Sequence, residues 1–155
     1  LIDQTPPPIM AVIKDVDSRP GLGAALGDGD AAMRKVLGVT GIIVDGTVRD
    51  LEGIQDVGTP VWAAGTVVGH GDFTLLRHNV TVMVAGLRID PGDLLIAGLD
   101  GCIKIPPDMD PEDILNRAKR VRAREADLFA LCRQPDATLT KIWDLTNAWR
   151  GPVRQ

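Results

Sequence analysis

The amino-acid sequence predicts an α/β fold in which short parallel βαβ units are joined to a β-meander and followed by C-terminal helices. The apolar run 41–44 has the continuous hydrophobicity of a strand that is covered on both faces. Segments with helical spacing of apolar residues come before and after it, which predicts parallel strands joined by crossovers. Farther along the chain, turn signals such as Asp90-Pro91-Gly92-Asp93 separate strands too closely for a crossover, which predicts the meander.

The elements of the parallel half follow from hydrophobic periodicity and from glycine and proline. Residues 1–8 form a Pro-rich lead-in that cannot be helical. The glycine-rich segment 18–29 is predicted to be a loop, long enough to suggest a function. The remaining predicted elements are a strand at 9–16, a helix from about Asp30 to Gly38, a strand at 41–44, a helix at 50–57 and a strand at 60–64.

The second half is predicted to form short antiparallel strands and then two helices. The predicted strands are 79–84, 87–89, 94–97 and 102–105. Asp110 and Pro111 supply an N-cap and a first helical residue, which predicts a helix over 111–131, and a second helix is expected from about Thr138. We therefore predict an α/β core at 1–106 and a helical extension at 107–155, whose apolar face we expect in a subunit interface.

Composition and charge favour a cytoplasmic globular protein. The 155 residues are 45% hydrophobic and 25% charged, with a net charge of −4, which argues against a nucleic-acid surface. No apolar run approaches the roughly 18 residues of a membrane-spanning helix, so neither nucleic acid nor membrane is an expected partner. Cys102 and Cys132 are not closely spaced and are predicted to be structural thiols in a reducing compartment. The chain opens at Leu1 rather than Met, which leaves open a further N-terminal segment.

Ionisable residues and glycines are placed where predicted strands and loops lead into helices. Asp45, Arg49 and Asp50 follow the strand 41–44, where α/β folds form their ligand crevices. The loop Gly27–Asp30 precedes a helix, whose free N–H groups can bind an anion. A carboxylate such as Asp50 can hold a hard divalent cation, and the planar guanidinium of Arg49 suits a carbonyl or carboxylate. The residues alone leave two interpretations, a site for a small 2-oxo acid or a turn that caps the next helix.

The order and spacing of these segments resemble a known family. Asp28 is followed by twenty residues and then by Arg49-Asp50. The other matching segments are the helix after the Gly27 loop, residues 38–50, residues 58–65 and residues 90–106. From Ile9 to about Pro106 the chain resembles the family of 4-hydroxy-4-methyl-2-oxoglutarate/4-carboxy-4-hydroxy-2-oxoadipate aldolases and the regulator of ribonuclease activity A (RraA). The resemblance implies a swivelling β/β/α-type domain.

The resemblance also implies a chemistry, that of a class II pyruvate aldolase with oxaloacetate decarboxylase activity. Asp50 would be the direct ligand of Mg²⁺ or Mn²⁺, Asp28 would hold the ion through water and assist proton transfer, and Arg49 would bind the substrate carbonyl. The amides implied to bind the substrate carboxylate are those of Gly27, Gly29 and Asp30. The resemblance further implies a trimer or hexamer, in which Glu125 of a neighbouring subunit would join the metal site.

Several alternatives remain open from the sequence. A non-catalytic RraA-like protein would use the same scaffold to bind and regulate a partner protein, and a structural subunit would carry an inert crevice. A second register of the resemblance places the glycine loop at Gly29-Asp30 instead of Gly27-Asp28. His70 lies in a predicted loop and is either solvated or a proton carrier near neutral pH.

Overall fold

The computed structural model describes residues 2–149 and the backbone of Arg150. It divides the chain into two compact units, Leu1–Ile105 and Pro106–Gln155, which are described separately. The first unit begins with a 3-10 turn, Ile2–Gln4, and contains β1 (Ile9–Lys14), β2 (Ala24–Leu26), α1 (Asp28–Val36), β3 (Val39–Val48), α2 (Leu51–Val57), β4 (Val61–Thr66), β5 (Val82–Val84), β6 (Leu87–Ile89), β7 (Leu94–Gly98) and β8 (Gly101–Ile105). The second unit contains α3 (Pro111–Cys132) and α4 (Leu139–Arg150).

The strand β3 is the centre of a parallel sheet. Strand β1 pairs with its first part, as far as the pair Lys14↔Asp45, whereas β2 pairs with its last residues, Thr47 and Val48. Strand β4 also pairs in parallel with both parts of β3, so it lies along the opposite edge. Strands β1 and β2 therefore occupy successive stretches of one edge of β3. The predicted parallel βαβ units are confirmed.

The core of the first unit forms around the apolar run of β3. Ile42 and Val44 are fully buried, as expected for a strand that is covered on both faces. Leu26 of β2, Ala31 of α1 and Ile54 of α2 belong to the same cluster of buried side chains. Burial of these side chains fixes both helices on the sheet, and with them the positions of their first residues.

Two predictions about the parallel half are wrong in detail. The segment 18–29 is not a continuous loop, because Ala24–Leu26 form β2 and α1 begins at Asp28. A strand of three residues shows too little alternation to be recognised from sequence. Strand β3 also extends to Val48, so Asp45 lies within the strand, where it pairs with Lys14, and not in the crevice beyond it.

The predicted meander consists of two antiparallel hairpins. Strands β5 and β6 pair with each other, as do β7 and β8. The second hairpin is fastened to the parallel sheet by Trp62 of β4, whose indole Nε1 donates a hydrogen bond to the carbonyl oxygen of Gly98 at 2.7 Å. The antiparallel pairing that the short connections predicted is confirmed.

The second unit is a pair of helices in contact with each other. Asp110 caps α3 as predicted, because its carboxylate accepts a hydrogen bond from the backbone N–H of Glu112 at 3.0 Å. Neither helix, as far as it is described, is long and apolar enough to cross a membrane, and the same holds for the helices of the first unit. The placement of residues 107–155 in a subunit interface stays a prediction.

A network of charges surrounds the turn between β6 and β7. The Asp90 carboxylate accepts hydrogen bonds from the Thr81 hydroxyl at 2.6 Å and from the Arg88 guanidinium at 2.9 and 3.2 Å. Lys104 of β8 lies 2.9 Å from Asp93 and 3.5 Å from Asp90. The Arg88 guanidinium and the Thr81 hydroxyl hold the pKa of Asp90 well below its usual range. The network therefore joins both hairpins through one turn.

Replacing Asp90→Asn should destabilise the protein near neutral pH. A carboxyl whose pKa is lowered by folding contributes stability above its unfolded pKa, near 3.8, and loses that contribution as the pH falls through the lower folded value. The difference in urea midpoint between the two proteins should therefore shrink below about pH 4.

The matched control is Asp100→Asn, which removes a carboxylate that makes no hydrogen bond or ion pair with any described residue. Its urea midpoint should follow that of the parent at every pH. A gap between Asp90→Asn and the parent that stayed constant down to acid pH would show that the network does not depend on the Asp90 charge.

Candidate functional site

The backbone of Asp50 is in an unusual conformation between β3 and α2. Its φ of 59° and ψ of 47° lie in the left-handed region, which costs a residue with a side chain more than it costs glycine. Asp50 occupies the N-cap position of α2, yet its side chain makes no capping hydrogen bond, and only its backbone oxygen accepts from Ile54, at 2.9 Å. The interpretation of Asp50 as a capping side chain is therefore wrong. Strain of this kind is found at functional sites.

Arg49 is anchored through its backbone and offers its side chain to the site. Its N–H donates to the carbonyl oxygen of Leu26 at 3.0 Å, which continues the pairing of β3 with β2. Its Nε lies 3.4 Å from Oδ2 of Asp50, and both side chains are about one-third exposed, at 35% and 36%. A small solute can therefore reach both the cation and the carboxylate.

Gly27 lies directly against this pair of charges. A Cβ atom added to Gly27 would be 2.9 Å from Oδ2 of Asp50 and 3.3 Å from Nε of Arg49. Gly27 is also the N-cap of α1, and the first intrahelical bond runs from Ala31 N–H to its carbonyl oxygen. The amides before Ala31 have no backbone acceptor within the helix, although that of Gly29 donates to Oδ1 of Asp28 at 2.6 Å, so the start of α1 can serve an anion. The start of α1, Arg49 and Asp50 thus meet at one place.

The other residues of the glycine loop have different surroundings. Asp28 lies against Gly53 in the first turn of α2, where an added Cβ would be 2.7 Å from Cβ of Asp28. The Asp30 carboxylate pairs with Arg34 at 2.9 Å. The backbone amide of Asp30 takes no part in this ion pair and is left for its predicted role, binding of the substrate carboxylate. A Cβ added to Gly29 would meet nothing within 4 Å. The residue of this loop that contacts Arg49 and Asp50 is therefore Gly27. This agrees with the register of the family resemblance that places the glycine loop at Gly27-Asp28 and not at Gly29-Asp30.

Glu125 and His70 do not belong to this cluster by any contact that the structure shows. Glu125 lies on α3 in the second unit and is 3.3 Å from Arg122, so its role in a neighbouring subunit's metal site stays a prediction. The exposed His70 has its Nδ1 2.9 Å from the carbonyl oxygen of Gly71, and its ring stacks on Phe73 with a centroid distance of 6.5 Å. No proton transfer through His70 is implied by these contacts.

A groove that was not predicted from the sequence runs beside the site. It has a volume of about 510 Å³, lies between α2 and β4, and includes Val48 and Leu51, the two residues that flank Arg49 and Asp50. Its lining is mostly apolar, with neutral polar side chains at Gln55, Thr59 and Thr66. The residues of β4 are half-buried or exposed without regular alternation, so this short strand carries no sequence signal of what covers it.

The side chains present fit a hard divalent ion with few protein ligands. No group of three or more His, Cys, Asp or Glu side chains suited to a metal occurs among the described residues. The available donors at the crevice are the carboxylate of Asp50 and, next to α2, that of Asp28. Mg²⁺ keeps several waters and is often held by one or two carboxylates, whereas a structural zinc site needs four protein ligands. The donor set therefore suits Mg²⁺ or Mn²⁺.

Together, the parallel sheet, the hairpins and the charged residues at the end of β3 define an α/β protein with a crevice at the carboxyl end of its central strand. The sequence profile of the RraA-like family, described as Aldolase/RraA, matches residues 1–103. The chain belongs to this family. The predicted resemblance and the predicted fold class are both confirmed.

Individual relatives agree with this assignment. A protein of Halalkalibacterium halodurans, which carries the provisional name 4-hydroxy-4-methyl-2-oxoglutarate aldolase, is 34% identical over 101 residues, or 64% of this chain and 48% of the relative. The structure of Streptomyces coelicolor RraAS2, described as an unusual member of the RNase ES inhibitor RraA family, superposes with a TM-score of 0.65 at 26% identity, covering 81% of this chain and 63% of that one.

A structure from Pseudomonas syringae pv. tomato shows the same fold over more of the chain. Its TM-score is 0.74 at 24% identity, and the match covers 91% of this chain and 65% of that one. The chain spans about half the length of the curated relatives that it matches. Their names therefore describe proteins roughly twice as long as the part compared.

The left-handed conformation of Asp50 predicts an unusual order of stability among its variants. Asp50→Gly should be more stable than Asp50→Ala by about 1 kcal/mol, because alanine is strained in this region and glycine is not. Asp50→Asn should lie close to the parent, since asparagine tolerates the same backbone. Urea unfolding measures all three.

The matched control is the same pair of substitutions at Glu52, inside α2. There alanine should be the more stable by about 1 kcal/mol, because glycine is unfavourable within a helix. Finding alanine equal to or better than glycine at position 50 as well would contradict the strained conformation of Asp50.

Proposed function

We propose that this chain is the core of a divalent-metal-dependent lyase that cleaves 4-hydroxy-2-oxo acids by a retro-aldol reaction and releases pyruvate, and that it also decarboxylates oxaloacetate. The observation that carries the proposal is the Asp50 carboxylate, which is held in a strained backbone, does not cap α2, and lies 3.4 Å from Arg49. Family membership supports it, as does the name of the Halalkalibacterium relative. We further propose that the protein acts in the cytoplasm.

The proposed substrate has a carboxylate next to a 2-oxo group, and the site offers a partner for each. The amides at the start of α1, from Gly27 to Asp30, would bind the carboxylate, and that of Gly29 would exchange its present acceptor, Oδ1 of Asp28, for the substrate. A bound Mg²⁺ or Mn²⁺, held by Asp50 directly and by Asp28 through water, would polarise the 2-oxo carbonyl as a Lewis acid. Both proposed reactions move negative charge onto that carbonyl oxygen, where the Arg49 guanidinium would stabilise it.

A proton must also move in each reaction. In the retro-aldol direction, the 4-hydroxyl group loses its proton as the bond between C3 and C4 breaks, and C3 of the pyruvate fragment gains one. Asp28 would orient the water that exchanges these protons, since its carboxylate lies next to α2 near the start of the site. Decarboxylation needs only the second of these transfers, so one site would serve both reactions.

A second function is favoured by one of the structural neighbours. Streptomyces RraAS2 is described as a member of an RNase inhibitor family, and this chain shares its fold at 26% identity. A non-catalytic protein that binds and regulates a partner protein would need the scaffold but not the charges at the end of β3. The close contact of Gly27 with Arg49 and Asp50 favours the lyase.

We also propose that the protein is a homo-oligomer, a trimer or hexamer, in which the C-terminal helices pack on a neighbouring subunit. None of the described residues of α3 is buried in the single chain. Leu115, Val121 and Phe129 are 52%, 51% and 51% exposed and lie within one-third of the helix circumference. Burial of such a stripe needs another surface, and Glu125 would reach the neighbour's metal site from this helix.

The lyase proposal is tested by pyruvate release from oxaloacetate, followed with a coupled dehydrogenase. Activity should require Mg²⁺ or Mn²⁺, disappear with EDTA and return with added metal. Asp50→Asn should lose it almost completely while keeping the fold, because the amide is a poor ligand but tolerates the same backbone. Asp56→Asn, at the far end of α2, is the control and should remain active.

A metal-replete parent protein that neither cleaves 4-hydroxy-2-oxo acids nor releases pyruvate would refute the lyase and leave the regulatory function. Activity that EDTA does not reduce would refute the proposed dependence on a divalent metal.

The proposed role of Arg49 predicts that its replacement lowers turnover more than it weakens substrate binding. Arg49→Lys keeps the charge but loses the planar fork, so kcat should fall by about 10²-fold or more, with a smaller change in KM. The control is Arg77→Lys, an exposed arginine outside the site. If KM rose while kcat stayed constant, Arg49 would bind substrate and transition state equally, contrary to the proposed role.

The oligomer proposal predicts a trimer or hexamer by light scattering with size-exclusion chromatography. Val121→Glu should weaken the assembly, because it places a charge in the apolar stripe of α3, whereas Arg120→Glu, on the opposite side of the same helix, should not. A monomeric parent protein with full activity would rule out both the assembly and the role of Glu125.

A further inference from the structure

The helix α2 has a glycine that its backbone does not require. Gly53 lies in the interior of a seven-residue helix, and it is not among the glycines with positive φ. Glycine is unfavourable inside a helix, and so short a helix is marginal by itself. Alanine would therefore suit α2 better, unless something in the surroundings excludes a side chain.

The neighbour that excludes a side chain is Asp28. The three atoms nearest to a Cβ added at Gly53 all belong to Asp28, and its Cβ and Cγ would be 2.7 and 2.9 Å away. Contacts shorter than 3 Å do not persist between such atoms, so the structure would have to yield. Rotation of the Asp28 carboxylate would not relieve the contact with Cβ, because Cβ is fixed to the backbone. The start of α1 would have to move away from α2.

The position of Asp28 is also fixed from its other side. Its Oδ1 accepts a hydrogen bond from the backbone N–H of Gly29 at 2.6 Å, and the preceding residue, Gly27, faces Asp50 and Arg49. Gly53 follows Asp50 by three residues, so the two lie one turn apart at the start of α2. Contact at Gly53 therefore sets how the Asp28 carboxylate is placed relative to Asp50.

We propose that Gly53 is a positioning residue: the absence of a side chain there lets Asp28 lie against α2, where its carboxylate orients water around the ion held by Asp50. This inference rests on the proposed function, since it concerns the same site. A residue that has no side chain would thus contribute to metal binding.

The contact itself is tested by a double-mutant cycle of Gly53→Ala and Asp28→Gly, measured by thermal unfolding without metal. In the parent background, Gly53→Ala should lower the unfolding midpoint or leave it unchanged, because the gain in helix propensity is offset by the clash. In the Asp28→Gly background the clashing atoms are gone, so Gly53→Ala should raise the midpoint. Additive effects of the two substitutions would overturn the contact.

The positioning role is tested by the affinity for Mn²⁺ alone, measured from the free-ion signal in electron paramagnetic resonance. Gly53→Ala should weaken binding by about 10- to 100-fold, the usual range for a residue that orients groups around a metal. The matched control is Gly98→Ala, where an added Cβ meets nothing within 4 Å, and its Mn²⁺ affinity should equal that of the parent.

The outcomes separate this inference from the proposed function. Non-additive unfolding with weakened Mn²⁺ binding supports the inference. Non-additive unfolding with unchanged Mn²⁺ binding overturns the positioning role and leaves a purely structural contact. A parent protein that binds no Mn²⁺ overturns the metal site of the proposed function, and the role of Gly53 in metal binding with it.

Discussion

The candidate site depends on the parallel alignment of β2 with the end of β3. The hydrogen bond from Arg49 N–H to the carbonyl oxygen of Leu26, at 3.0 Å, makes both strands finish at the same level. Each strand then leads into a helix within a few residues, α1 from Gly27 and α2 from Asp50. Two helix starts therefore lie side by side at one edge of the sheet. Gly27 and Arg49, which are 22 positions apart in the sequence (49 − 27), become neighbours for this reason.

Glycine makes that close approach of the chain segments feasible. Gly27 is next to the carboxylate of Asp50, and Gly53 is next to the side chain of Asp28. A third close approach fixes the segment after β4, where a Cβ added to Gly23 would lie 2.5 Å from Cα of Gly71. In each case the missing side chain is explained by a distant part of the chain and not by local backbone conformation. At each of these three glycines, atoms of another chain segment occupy the space that a side chain would otherwise fill.

The sequence predicted the elements whose signals are local. The apolar run of β3, the Asp110 cap of α3 and the turn at Asp90 depend on residues a few positions apart, and the structure confirms each. The three-residue strand β2 has no pattern of its own, and it forms because β3 offers it an edge. Asp45 is also placed by strand pairing that has no local signal. Because β3 extends beyond it to Val48, Asp45 stays in the sheet and pairs with Lys14.

The candidate site was predictable in composition but not in geometry. The spacing of Asp28, Arg49 and Asp50 identified the charged residues, since a family pattern records which residues recur together. Nothing in the sequence shows that Asp50 adopts a left-handed backbone, because asparagine and aspartate occur in ordinary turns and caps far more often. In that conformation the Asp50 side chain makes no capping bond to α2 and lies beside Arg49 and Gly27. A capping aspartate would satisfy α2 and leave only the Asp28 carboxylate as a donor at the crevice. The strained backbone of Asp50 is therefore what makes this helix start a candidate metal site.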